Sequence, residues 1–156
     1  MNEDTKALLR RTNLPKGIEF DQDGRACVEI GSLTVHLRQG PDGTLMALCP
    51  LGSIASLTPE RTAFVMRGLL KLNLPGEEQS PFRFCMDANG TVSYAGVFMG
   101  GKGREALFVS GVNGYIGELP PALLRFRSLA GAASGQDEEE EDLLKSPQWG
   151  GGGIPS

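Results

Sequence analysis

The sequence predicts a small α+β domain: a short N-terminal helix, an antiparallel sheet of about five strands interrupted by a long helix, a C-terminal helix and an acidic, glycine-rich tail. Three observations carry this. Among 156 residues, 22 glycines and 10 prolines make about one residue in five a backbone punctuator, against long bundles or coiled coils. Hydrophobic residues make up 40%, enough for a core. Two-residue alternation runs from Arg25 to Arg38, and a well-capped helical stretch follows from Thr58.

Residues 3–13 read as a helix capped by Asn2 or Asp4, with Leu8 and Leu9 as its apolar edge and Pro15-Lys16-Gly17 as its stop. Asp21-Gln22-Asp23-Gly24 is a turn. From Arg25 the chain alternates, Ala26, Val28 and Ile30 on one face and Arg25, Cys27 and Glu29 on the other. Leu33, Val35 and Leu37 continue opposite Thr34, His36 and Arg38, and Gln39 to Gly43 turns the chain again. Thr44 to Cys49 is apolar on both faces and reads as a strand covered on both sides.

Thr58-Pro59-Glu60 supplies a hydroxyl cap, a proline at the first helical position and a first-turn carboxylate, and Leu74-Pro75-Gly76 stops the helix after Asn73. Its apolar positions Ala63, Val65, Met66, Leu69, Leu70 and Leu72 cover an arc of about 180°, wider than one sheet face needs. The helix therefore packs on its own sheet and on something else. Phe82–Met86 and Thr91–Met99, joined through Asn89-Gly90, form the clearest hairpin.

Residues 96–117 hold seven glycines and show no period; they read as a loop with a further strand at Ala106–Ser110, or as a poor helix. Leu119-Pro120-Pro121 opens a last helix, with Ala122, Leu123, Phe126, Leu129 and Ala130 on one stripe, and Gly131 closes it. Residues 1–130 are thus the domain. Residues 131–156, with the acidic run Asp137–Asp142, Gly150–Gly153 and the only tryptophan, Trp149, read as a disordered tail.

Charge follows the same boundary. Residues 1–130 hold 14 Lys/Arg against 13 Asp/Glu, a net of +1, and the tail is at −5. A body without a basic excess offers no phosphate-binding stripe, which argues against nucleic acid. No apolar run approaches the roughly 20 residues of a membrane span, and the acidic opening Met1-Asn2-Glu3-Asp4 is unlike a signal peptide. The expected compartment is the cytoplasm. Cys27, Cys49 and Cys85 are odd in number and widely spaced, as reduced, separately packed thiols would be.

No motif argues for an enzyme. His36, the only histidine, could serve as base to Cys27, Cys49 or Cys85 as nucleophile, but on an outward strand face it reads as a surface residue. A zinc site needs about four ligands, and these four candidates are scattered. Gly100-Gly101-Lys102-Gly103-Arg104 lacks the spacing of a phosphate loop and reads as a loop tip. Asp21/Asp23 and Glu77/Glu78 are turn residues, and Arg125 and Arg127 are solvated flanks. Neither metal nor cofactor is expected.

The order helix, three strands, long helix, hairpin, helix resembles the class I type III secretion chaperones of Gram-negative bacteria, the Tir chaperone family, over about Ala7 to Ala130. Leu14-Pro15 with Phe20-Asp21-Gln22-Asp23-Gly24 is similar to the family's first turn into the sheet, and Leu45 to Leu51-Gly52 to its third strand. Leu69-Leu70-Lys71-Leu72-Asn73 resembles the leucine-leucine-x-x-asparagine end of its central helix, and Phe84 to Val92 its second hairpin. The resemblance implies a non-enzymatic homodimer that binds the N-terminal segments of secreted effector proteins and hands them to the secretion machinery, its ATPase among the partners.

On that footing Val65, Met66, Leu69 and Leu72 are the expected dimer residues, and Leu8, Leu9, Met46 and Leu48 the expected effector-binding residues. Extended peptides bind such proteins by strand addition and pocket filling. The competing readings are an unrelated α+β adaptor module and a cysteine-dependent enzyme using Cys49 or Cys85 with His36.

Overall fold

The computed structural model describes residues 3–74 and 80–141, with side chains over 3–74 and 80–131. Elements run α1 (Glu3–Arg11), β1 (Arg25–Ile30), β2 (Leu33–Gln39), β3 (Leu45–Ser53), α2 (Pro59–Asn73), β4 (Arg83–Met86), β5 (Thr91–Phe98) and α3 (Glu105–Glu141). The strands lie in the order β1-β2-β3-β5-β4. The chain divides into two compact units: Met1–Pro50, Pro81–Arg83 and Ser93–Leu119 in the first, Leu51–Ser80, Phe84–Val92 and Pro120–Ser156 in the second.

In the first unit the expected turns form by the expected chemistry. The Asp21 carboxylate accepts from the backbone N–H of Asp23 and Arg25 at 2.8 and 2.9 Å, which starts β1. Ile30 and Leu33 then pair across a two-residue turn, and β1 and β2 run antiparallel from there. Val28, Val35, Leu37, Leu45, Ala47 and Cys49 form the buried face. Phe82, Tyr94, Phe98 and Tyr115 form an aromatic cluster with centroids 5.3 to 6.1 Å apart. Tyr115 Oη donates to the Tyr94 carbonyl and Tyr94 Oη to Glu118, both at 2.7 Å, so the buried hydroxyls are satisfied. The Asn113 side chain accepts from the Asn13 N–H at 2.7 Å and ties the end of α1 to α3.

In the second unit Thr58 caps α2, its hydroxyl accepting from the Arg61 N–H at 3.3 Å, with Pro59 at the first position as expected. Val65 and Leu69 are buried. Two glycines permit close packing of α3. A Cβ on Gly68 would stand 2.4 Å from Leu129, and one on Gly52 would stand 2.7 Å from the Phe126 ring. In the β4–β5 turn, the Asp87 carboxylate accepts from the N–H of Asn89 and Thr91. Asn73 closes α2 on β4: its amide donates to the Phe84 carbonyl and accepts from the Phe84 N–H, each at 2.8 Å.

Three expectations need correction. The glycine-rich segment holds no strand at Ala106–Ser110; α3 begins at Glu105 and runs unbroken through Pro120 and Pro121, where the sequence reading placed a separate start. Each proline costs one helical hydrogen bond. The helix persists because Phe108, Val112, Tyr115, Leu119, Ala122, Phe126 and Ala130 recur at spacings of three or four and are all buried. Gly131 does not end it, since α3 reaches Glu141; the remaining tail lies outside the described residues. Finally, β3 is covered on one side only: Leu45, Ala47 and Cys49 are buried, while Met46 is half-buried and Leu48 is 41% exposed. In the first unit α3 packs on β5, Tyr115 against Tyr94 and Phe98 and Gly111 beside Phe98, and Met46 and Leu48 alternate away from the buried residues of β3. The Asn2 alternative for the α1 cap and the Glu77/Glu78 pair also fall outside the described residues.

Candidate functional site: an open apolar sheet face

Register places the outward residues of β1, β2 and β3 in rows. Cys27 pairs with His36, which pairs with Leu48; Arg25 pairs with Arg38, which pairs with Met46. The surface thus grades from polar at the edge strand β1 to apolar at β3. The next strand, β5, extends the apolar part. Tyr94, Gly96 and Phe98 are buried, so alternation turns Ala95 and Val97 outward, and Val97 is 59% exposed. A face with an apolar centre and the edge strand β1 at its polar margin can accept an extended chain. Backbone pairing supplies affinity, and the side-chain hollows supply selectivity.

The expected effector-binding residues divide. Met46 and Leu48 stand on this face. Leu8 and Leu9 are buried and anchor α1 instead. Leu8 lines the wall of a hollow of about 630 Å³ that Thr5, Arg11, Asp42, Lys102 and Glu105 also line. The expected dimer residues divide as well: Val65 and Leu69 belong to the core of their own unit, while Met66 and Leu72 are exposed. Two residues outside that set add to the exposed apolar surface, Leu70 at 64% and Leu74 at 67%. Leu70 already lay in the sequence arc. Val97 could have been read from the alternation of β5.

The thiols are chemically distinct. Burial pushes the Cys49 pKa up to about 11, and burial with the Asp87 charge raises that of Cys85. Cys27 is exposed, with Sγ 3.2 Å from His36 Nδ1. Of the three pairings open to His36, this is the one the fold makes. Among the described residues no group of three or more His, Cys, Asp or Glu could hold a metal ion, and no helix is long and apolar enough to cross a membrane.

Residues 6–95, more than half of the chain, match the model of the Tir chaperone protein (CesT) family. The chain belongs to that family, one of type III secretion chaperones that act by binding, and the unrelated adaptor reading falls away. No curated protein matches the sequence. Among solved structures, the chain is similar to the Yersinia pestis type III secretion chaperone SycH, crystallised in complex with a stable fragment of YscM2. The TM-score is 0.53 at 16% identity, over 80% of this chain and 94% of that one. At that identity the likeness establishes the shared fold.

Proposed function

We propose that this chaperone binds the N-terminal segment of one or more secreted effector proteins as an extended chain, keeping it soluble and competent for secretion. It acts in the cytoplasm as a homodimer and presents its cargo to the secretion machinery, the ATPase included. No catalysis is involved. The observation that carries the reading is the outward face of β3 and β5: Leu48 and Val97 stand exposed, with Met46 half-buried on the same side of β3, in a fold of this family. The similarity to a chaperone solved with a bound protein fragment supports it.

Energetics set the size of the contact. Apolar burial returns about 25 cal/mol per Å². A segment that folds on binding gives back about 2–5 kcal/mol in ordering, so a broad wrapped surface is required.

The test is calorimetry with effector segments encoded beside the gene for this chain. Leu48→Asp and Val97→Asp should each weaken binding at least about tenfold, the equivalent of about 1.4 kcal/mol, with the circular dichroism unchanged. If no such segment binds at high protein concentration, the reading is wrong.

A further inference from the structure

We propose that Cys27 is a nucleophilic thiol, with His36 as its base, which takes up small disulfides such as glutathione disulfide as a mixed disulfide. The backbone sets the pair. Cys27 and His36 are direct cross-strand partners, Sγ lies 3.2 Å from Nδ1, and both residues are exposed. A thiol within hydrogen-bond reach of a ring nitrogen is the arrangement that activates cysteine. On its other side His36 meets Leu48, which offers the ring no competing polar group.

The surroundings suit an incoming reagent. A shallow hollow of about 440 Å³, lined by Glu19, Phe20, Asp21, Arg25, Ala26 and Cys27, opens beside the sulfur. Arg25 and Glu29 flank Cys27 along β1, and Arg38 and Thr34 flank His36 along β2. Glu29 accepts from the Thr34 hydroxyl at 2.9 Å, and Asp21 is occupied by its own turn. Neither arginine has a carboxylate partner among the described residues. Cys49 is buried, and burial and Asp87 raise the pKa of the exposed Cys85 thiol, which has no imidazole beside it as Cys27 has.

In the reaction the Sγ proton passes to Nδ1, and the sulfur attacks one sulfur of the disulfide. The reagent's S–S bond breaks as the Cys27 S–S bond forms. Cys27 is oxidised, the other half of the reagent is reduced to a thiolate, and His36 can return the proton to it. The adduct would stand two strands from Leu48, on the face proposed for cargo. That consequence rests on the function proposed above; the reactivity of the thiol does not.

The full chain is mixed with dithiobisnitrobenzoate near neutral pH and the released thiolate is followed by absorbance. One fast thiol is expected, absent in Cys27→Ser and retained in Cys85→Ser. His36→Gln should slow it about tenfold, less than the roughly 10²–10⁴ of an enclosed general base because water reaches the pair. With glutathione disulfide, mass spectrometry should place the adduct on the peptide that contains Cys27. A fast phase that survives Cys27→Ser, or a rate unmoved by His36→Gln, overturns the thiol site whether or not cargo binds. A reactive Cys27 in a chain that binds no cargo overturns the cargo reading alone.

Discussion

Asn73 offers a sharp test of how the second unit is held. Its side-chain amide bonds both backbone groups of Phe84, at 2.8 Å each. In an antiparallel strand a residue's N–H and C=O point the same way, so the amide stands where a neighbouring strand's peptide would and covers the outer edge of β4. Asn73→Ala deletes both bonds. At about 0.5–1.5 kcal/mol net for each, the loss is about 1–3 kcal/mol. Asn73→Asp is more revealing. Protonated, the aspartate can donate and accept as asparagine does; ionised, it faces the Phe84 carbonyl with nothing to donate. Its folded-state pKa should therefore lie above the unfolded value of about 3.9. The folded state then binds the proton more tightly. The variant is least handicapped below the unfolded pKa, and its deficit grows as pH rises through the folded one. Urea denaturation of the three proteins at about pH 4 and about pH 7, at one protein concentration, measures this. An Asn73→Ala variant within about 0.5 kcal/mol of the parent, or an Asn73→Asp deficit that does not grow with pH, would refute the clamp.

Four further outcomes follow from the packing. Met66→Asp with Leu70→Asp should convert a dimer into a folded monomer of 16.6 kDa by light scattering, whereas Val65→Asp, in the core, should unfold the chain. Gly52→Ala should cost about 1–3 kcal/mol by pressing on the Phe126 ring, and less once Phe126→Leu is also made, read by thermal melts. Because burial raises the Cys49 thiol from 9.0 to about 11, the unfolded chain ionises first; stability should fall between those pH values by about 1.4 kcal/mol per unit at most, and Cys49→Ala should remove that part of the decline in alkaline denaturation. Ending the chain after Gly131 should move the melting temperature by no more than about 4 °C, the equivalent of about 1 kcal/mol; a larger fall would show that residues 132–156 dock on the domain.

Much of the fold was legible because its signals are local. Asp21 and Asp87 build their turns with their own backbone neighbours, Thr58 caps the helix it begins, and the alternation of β1 and β2 needs only one buried face. The first half of α3 was legible only as one of two alternatives, a poor helix or a loop with a further strand. Gly111, Gly114 and Gly117 mask a stripe of Phe108, Val112, Tyr115 and Leu119, and Pro120-Pro121 mimics a helix start. Local preference was against that helix, and burial of the aromatic residues overrode it. The site was half legible for a related reason. Met46 and Leu48 are apolar, and so are Leu45 and Ala47; only the side on which the core forms decides which pair stays open. His36 reads as a surface residue, and its rival reading pairs it with Cys49 or Cys85; only strand register places Cys27 beside it.

The helix α2 shows how one wide arc can serve several partners. At about 100° per residue, with Val65 as origin, Leu69 lies about 40° round, Asn73 about 80°, Met66 about 100° and Leu70 about 140°, and Gly68 about 60° the other way. The observed contacts follow that order. Val65 and Leu69 meet the core, Gly68 meets Leu129 of α3, Asn73 meets β4, and beyond Asn73 the apolar surface continues into the open at Met66 and Leu70. The folded chain thus leaves part of the arc unfilled: its far flank at Met66 and Leu70, next to the covered edge of β4, and Leu72, about 20° from Val65 in the last turn. A second copy related by a twofold axis would present the same flank, so two such surfaces can close on each other without further apolar area. Width alone pointed to a second partner for α2; of the four residues expected to meet it, Val65 and Leu69 are buried in their own unit, and Met66 and Leu72 remain exposed together with Leu70.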